Sequence, residues 1–143
     1  REKEVLDHLM HSLIILKKYL SSIGCKVMFF ILSQLNRDIE SSERVTNPKL
    51  HYPTKNDIFG ASSVYYSSDY VIIIHRPAII EGIGNWYGPA RGGKPGLPVF
   101  NPSNSSQPMI YLHVIKERFG NNKILAMLDD LTNAKIQDYV KVN

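Results

Sequence analysis

The chain has 143 residues, of which 43% are hydrophobic, enough for one domain with a buried core. Its 17 Lys and Arg against 13 Asp and Glu give a formal net charge of +4, a mild excess that permits nucleic-acid binding without requiring it. The single cysteine excludes an internal disulfide, and no apolar run approaches the roughly 20 residues that span a bilayer, so we expect a reducing cytoplasm and no membrane.

The first predicted element is an amphipathic helix over residues 2–22. Its apolar residues recur at steps of three and four, at Val5, Leu6, Leu9, Leu13, Leu16 and Leu20. Ser22 and Gly24 supply a stop signal. Because the helical pattern begins at once, with no cap and no initiator methionine, we expect the chain to be a fragment of a longer protein.

An unbroken apolar run at residues 27–32 comes next and predicts a strand at about 26–33. A run that is apolar at odd and even positions is typical of a strand covered on both faces, as in a parallel sheet between helices. The polar residues that follow it are Ser33, Gln34, Asn36 and Arg37. Since ligands of open α/β sheets bind at the carboxyl ends of strands, Gln34 and Arg37 are candidates to meet a phosphate. Cys25, beside this strand, is expected in the core.

The middle of the chain predicts a loop, a weak helix and a second strand. Residues 37–56 are polar and follow neither the helical nor the strand period, so they predict a long loop. Residues 57–68 favour a short helix, which Gly60 weakens. The β-branched run at residues 71–74 predicts a second buried, parallel strand at about 70–75.

Residues 77–108 predict an irregular insertion, because they hold six of the nine glycines and most of the prolines. Within them, GPARGGK at 88–94 fits the G-x-x-x-x-G-K part of a phosphate-binding loop. No Ser or Thr follows the lysine and two prolines oppose a helix there, so we reject this function. The segment is either a flexible basic loop or a place where Arg91 and Lys94 contact nucleic acid.

The last third predicts an antiparallel hairpin. Residues 109–118 regain strand character, a Gly-Asn turn occupies 119–122, and 123–128 form the partner strand. A turn at 129–133 then precedes a final strand at 135–140.

Lys116 and Arg118 lie two residues apart on the predicted strand, so both side chains leave the same face. Two cations at a strand tip can clamp a polyphosphate, with arginine as a bidentate fork. An isolated pair of this kind is more commonly a solvated edge. His8 and His11 are spaced to share a metal, but no third ligand is evident and we expect no metal site.

Taken in order, the helix, SQLNR, DYVIIIHR and KERFG resemble the C-terminal half of the ATPase domain of DnaB-type replicative DNA helicases. The resemblance covers residues 1–143 apart from the insertion at about 77–108. It implies an α/β fold: a partial RecA-like P-loop ATPase core, with parallel central strands and an antiparallel C-terminal hairpin. It also implies that Gln34 senses the terminal phosphate, and that Lys116 and Arg118 reach the ATP site of the neighbouring subunit.

The resemblance further implies a parent protein that couples hydrolysis of ATP with Mg²⁺ to translocation on single-stranded DNA and duplex unwinding, as a homo-oligomeric ring that is expected to be a hexamer. The Walker A and B strands of the family lie upstream, so this chain alone is not expected to bind ATP tightly or to hydrolyse it. The family's DNA-contacting loop keeps Asp57 here but has Phe59 in place of a basic residue. Candidate DNA contacts are Arg37, Lys55, Arg91 and Lys94.

Two alternatives stay open. One is a non-catalytic nucleic-acid-binding or assembly module that keeps the sheet without the motor. A recombinase or repair ATPase of the same fold is the other alternative. A strand followed by G-x-x-x-x-G-K-[ST] upstream would favour a motor.

Overall fold

The computed structural model describes residues 2–139 and contains three α-helices and seven strands in that range. The helices are α1 (Glu2–Ser22), α2 (Ser42–Thr46) and α3 (Ala61–Ser67). The strands are β1 (Tyr70–His75), β2 (Trp86–Tyr87), β3 (Leu97–Pro98), β4 (Phe100–Asn101), β5 (Asn104–Glu117), β6 (Lys123–Asp130) and β7 (Lys135–Asp138). Single-turn 3₁₀ helices lie at Arg37–Glu40, Lys55–Asp57, Pro77–Ile79 and Leu131–Asn133. The chain is therefore a mixed α/β protein, as the sequence predicted.

The main sheet has the order β1-β5-β6-β7, with β4 also paired to β5, and every pairing in it is antiparallel. The prediction of parallel central strands is wrong for these strands. The reason lies in the connection from β1 to β5, which contains short strands and turns but no α-helix. Parallel neighbours need a crossover, commonly a helix, whereas this connection turns the chain back beside β1.

The strand predicted at 26–33 is absent from the structure. The segment is extended, yet within the described residues it makes no backbone hydrogen bonds to β1 or to any other strand. Phe30 and Leu32 are 86% and 97% exposed, and Cys25 is exposed rather than in the core. A run of apolar residues becomes a strand only when a neighbour pairs its backbone groups, and the described chain provides none here.

The path of this extended segment is nevertheless defined by its ends. Lys17, near the end of α1, bonds to Asp69, just before β1 begins. After α1 the chain returns, and Leu35 lines a shallow pocket with the last residues of β1. Residues 25–34 therefore run in the same direction as β1, with α1 antiparallel to both.

Two apolar clusters hold the elements together. The first joins α1, α3 and β1 through Met10, Ile58, Val64 and Ile73. The second joins the insertion to the sheet through Tyr87, Val99, Met109 and Tyr111. Since Tyr87 and Val99 have no exposed surface, the irregular segment predicted at 77–108 is packed onto β5 rather than loose.

The predictions for the C-terminal third agree more closely with the structure. The C-terminal hairpin is confirmed, with Met109 opposite Leu128 and Val114 opposite Lys123. β5 begins earlier than expected, at Asn104. The last strand is confirmed over Lys135–Asp138, while its predicted end at residue 140 lies outside the described residues.

Gly96 provides a test of how tightly the insertion is packed. A methyl group there would collide with the backbone carbonyl oxygens of Tyr87 and Gly88, so Gly96→Ala is expected to cost roughly 1–3 kcal/mol of unfolding free energy. Gly84→Ala is the matched control, because nothing lies within 4 Å of a Cβ there. Urea denaturation of both variants checks this, and equal stabilities would contradict it.

Candidate functional site

The polar cluster that includes Gln34 and Arg37 is anchored through its backbone. The Gln34 carbonyl accepts a hydrogen bond from the Phe59 N–H at 3.1 Å, and the Asn36 side chain donates to the Asn56 carbonyl at 2.7 Å. The side chains of Gln34 and Arg37 themselves are exposed. The cluster lies at the carboxyl end of β1, where Arg37 shares a pocket with Arg76.

Lys116 and Arg118 lie together near the opposite end of β1. The Lys116 ammonium donates to the carbonyls of Tyr65 at 2.7 Å and Tyr66 at 3.0 Å, which are orphan acceptors in the last turn of α3. Arg118 follows β5 directly, is about half exposed, and pairs with Asp69 at 3.0 Å. Lys116 thus caps the end of α3, whereas the ion pair of Arg118 with Asp69 is accessible to solvent.

The antiparallel register fixes the distance between these two groups. Tyr70, the first residue of β1, lies opposite Glu117 on β5, so the Lys116 and Arg118 end of β5 meets the amino end of β1. Arg37 and Leu35, the residue after Gln34, line the pocket near its carboxyl end. Six strand residues separate the two ends by roughly 17–20 Å at about 3.3 Å per residue. Arg37 and Arg118 therefore lie near different ends of this strand.

Asp69 is the carboxylate that the cations at this end share. One carboxylate oxygen of Asp69 accepts a hydrogen bond from the Lys17 ammonium at 2.6 Å, and the other forms an ion pair with Arg118. The hydrogen bond from Lys17 is the main reason that the pKa of Asp69 lies below its usual value. Burial, reinforced by the nearby charge of Arg118, lowers the pKa of Lys116.

The four predicted nucleic-acid contacts are dispersed. Lys55 joins the Lys116 end of the molecule, since its ammonium lies 5.9 Å from the Tyr66 ring centre. Arg37 is at the other end of β1, beside His75 and Arg76. Arg91 and Lys94 sit together at the tip of the insertion, where their backbones pair across a turn.

That turn also explains why GPARGGK is not a phosphate-binding loop. Gly92 and Gly93 both have positive φ and form the tip between Arg91 and Lys94, and the chain then enters β3 rather than a helix. The Arg91 guanidinium donates to the Tyr52 hydroxyl at 3.0 Å and lies 5.6 Å from that ring's centre. Arg91 is therefore held by a tyrosine, while Lys94 is exposed.

Three histidines that look scattered in the sequence form one buried cluster with Tyr87. The two Nε2 atoms of His51 and His75 lie 3.0 Å apart, and the Tyr87 hydroxyl lies 2.8 Å from Nε2 of His113. Burial lowers the pKa of His75 to about 3 and that of His113 to about 4. Burial and the charge of Arg44 also lower the pKa of His51.

In the sequence His75 and His113 fall on two predicted strands, but nothing local connects them with each other or with His51. Within residues 2–139 no group of three or more His, Cys, Asp or Glu side chains is arranged to hold a metal ion. His8 and His11 are exposed on α1.

A buried ion pair anchors the loop before α3. Arg44 donates to both carboxylate oxygens of Asp57 and to the carbonyls of Leu50 and Tyr52, at 3.1 and 3.0 Å. Burial raises the pKa of Asp57, but the hydrogen bonds from Arg44 and the Thr54 backbone outweigh it and leave the pKa below its usual value. This pair fixes the segment that carries Lys55.

No protein-family model, curated protein or solved structure matches this chain. Among residues 2–139, no helix is both long and apolar enough to cross a membrane.

Proposed function

We propose that this chain is part of the RecA-like ATPase domain of a DnaB-type replicative DNA helicase. The parent would be a ring of identical subunits, a hexamer in the cytoplasm, that couples ATP hydrolysis to movement along single-stranded DNA and to duplex unwinding. The observation that carries the proposal is that Arg118 and the pocket lined by Leu35, the residue after Gln34, lie near opposite ends of β1.

This separation is what a ring motor needs. If Gln34 senses the terminal phosphate of its own subunit, an arginine that stabilises charge on the neighbour's phosphate has to lie on another surface of the chain. Arg118 meets that requirement: it follows a strand end, is about half exposed, and gives up only a solvent-accessible ion pair when it leaves Asp69. Hydrolysis in one subunit would then depend on the position of the next.

The course of residues 2–35 also supports a RecA-like core. A helix antiparallel to β1, followed by an extended apolar segment running with β1, is the order of a parallel α/β unit. The unpaired backbone of residues 26–33 and its exposed side chains would be satisfied by neighbouring strands and helices of a larger sheet.

The assigned roles are limited to residues of this chain. Gln34 senses phosphate, Arg118 stabilises developing charge in trans, and Lys116 fixes the end of α3 beside it. ATP is the substrate.

The test is the ATPase activity of the complete protein that contains this chain, with single-stranded DNA. Arg118→Ala is expected to lower kcat at least about tenfold while leaving ATP binding intact, because the lost charge acts only in the transition state. Lys123→Ala is the control, since Lys123 is exposed on β6 and its ion-pair partner within residues 2–139 is Glu117.

An experiment that mixes two kinds of variant subunit distinguishes a role of Arg118 in the neighbouring subunit from a role within its own subunit. Subunits with Arg118→Ala, combined with subunits whose phosphate cradle is inactivated, are expected to regain part of the ATPase activity. Unchanged turnover in the Arg118 variant, or no recovery on mixing, would remove the trans role. A recombinase or repair ATPase of the same fold would pass this test but fail to unwind a forked duplex.

The second candidate is a nucleic-acid-binding or assembly module without ATPase activity. It is favoured by one observation: Lys55 and Lys116 lie against the rings of Tyr65 and Tyr66, an arrangement that needs no nucleotide. DNA binding by a protein that neither binds nor hydrolyses ATP would favour this candidate.

A further inference from the structure

Tyr65 and Tyr66, at the end of α3, form a two-ring platform. Their ring centres lie 5.5 Å apart and the rings are nearly perpendicular, at 87°. Tyr65 is half-buried, and its hydroxyl donates to the carbonyl of Ile115 on β5 at 3.4 Å. Tyr66 is 63% exposed. The Tyr65 ring is therefore fixed to the sheet, whereas the Tyr66 ring is exposed to solvent and packs against Tyr65.

Two lysines flank this platform. The Lys55 ammonium lies 6.0 and 5.9 Å from the centres of the Tyr65 and Tyr66 rings, and the Lys116 ammonium lies 5.0 Å from Tyr65. Lys55 has no carboxylate partner among the described residues. Its charge is thus available to a ligand, whereas Lys116 is committed to the helix end.

The wider surroundings keep the surface positive. Arg118 and Lys17 both pair with Asp69, and Glu117 is paired with Lys123 on β6. Four cations thus lie around the platform, Lys17, Lys55, Lys116 and Arg118, and of these Lys17 and Arg118 pair with Asp69. An exposed ring within a positive field is the combination that binds single strands, with stacking for a base and charge for the phosphates.

We propose that Tyr66 stacks on a base of single-stranded DNA while Lys55 contacts a flanking phosphate. The inference rests on the nucleic-acid part of the proposed function and not on ATP hydrolysis. A duplex fits this surface poorly, because its bases are already stacked on one another and a ring on a protein surface reaches only an unpaired base.

The test is fluorescence anisotropy with a labelled single strand of about 20 nucleotides, without ATP. Tyr66→Ala is expected to weaken binding about tenfold, and Tyr66→Trp to restore it, because a larger ring stacks at least as well. Tyr19→Ala is the control: Tyr19 is 61% exposed on α1, two residues beyond Lys17 and thus on another face of the helix.

Lys55 is tested by its effect on salt dependence. Lys55→Gln is expected to weaken binding about threefold and to lower the slope of log affinity against log salt concentration by about one, as for a lost phosphate contact. Lys49→Gln, at another exposed lysine, should change neither. Circular dichroism of each variant establishes that it is folded.

The proposal is overturned if Tyr66→Ala binds like Tyr19→Ala, if a duplex of equal length binds as tightly as the single strand, or if ATP displaces the strand from the isolated chain. Each result is separate from the ATPase test. Because DNA binding is measured without ATP, failure of this proposal is distinguishable from failure of the ATPase test.

Discussion

Lowering the pH from about 7.5 to about 5 is expected to destabilise this protein by about 4 kcal/mol through His75 and His113, which are neutral when folded and charged when unfolded. Both side chains are less than 5% exposed, and their folded pKa values are about 3 and about 4. The cause is burial first. For His75 the neighbouring histidines and Arg44 act in the same direction, and for His113 Arg91 does.

The sign follows from proton binding. Between the unfolded pKa of 6.5 and the folded values, the unfolded chain binds more protons than the folded chain, so stability falls as the pH falls. The loss begins near pH 6.5 and is about 1.4 kcal/mol per pH unit for each histidine. Asp57 and Asp69 do not contribute in this window, since their pKa values lie below 3.8.

The measurement is chemical denaturation at a series of pH values from about 7.5 to about 5, the interval in which histidine normally titrates. The double variant His8→Gln, His11→Gln should show the wild-type profile, because both residues are exposed on α1. His113→Gln should show a shallower one, as one of the buried titrating histidines is removed. A wild-type profile that is flat between pH 6.5 and 5 would mean that the histidines are not buried as described.

Local patterns in the sequence located the elements whose signals are local. The bounds of α1 match the prediction, because the apolar spacing and the stop signal at Ser22 and Gly24 are both local to the helix. The burial of the helix differs from what its apolar stripe indicates. Val5 and Leu9, which belong to that stripe, are 63% and 46% exposed. Among the described side chains of α1, the fully buried one is Met10. A periodic pattern specifies a face but not whether anything covers it.

The features that the sequence predicted wrongly or missed all depend on contacts between residues that are distant in the sequence. Residues 26–33 have the composition of a buried strand, but a strand exists only with a partner, and the partner is not encoded in the run itself. The histidine cluster joins His51 on a loop to His75 and His113 on paired strands, and tyrosine from the insertion completes it. Such a site depends on the fold of the whole chain and has no sequence motif.

The candidate site likewise combines features that the sequence predicted with features that it did not. The shared face of Lys116 and Arg118 was predictable from strand geometry, and the structure brings both to the end of β5. The capping of α3 by Lys116 was not predictable, because it depends on α3 ending beside that strand. The Tyr65 and Tyr66 platform was missed for the same reason: in sequence the two rings are simply part of a weak helix.

Arg44→Ala is expected to destabilise the protein by about 3–5 kcal/mol, because it leaves the Asp57 carboxylate buried without its cation. Asp57 is only 2% exposed, so water cannot replace the guanidinium without rearrangement of the loop. The carbonyls of Leu50 and Tyr52 lose their donor as well. Urea denaturation near pH 7 measures the loss, with Arg37→Ala as the control, since Arg37 is exposed.

A second substitution distinguishes a buried charge from simple loss of contacts. If the unpaired carboxylate is the main cost, Arg44→Met combined with Asp57→Asn should be more stable than Arg44→Met alone, because the double variant carries no buried charge. The amide introduced by Asp57→Asn would also keep an oxygen for the Thr54 N–H, which now donates to Asp57 at 2.7 Å. A double variant less stable than the single one would show instead that Asp57 stabilises the loop mainly through Thr54 and not through Arg44.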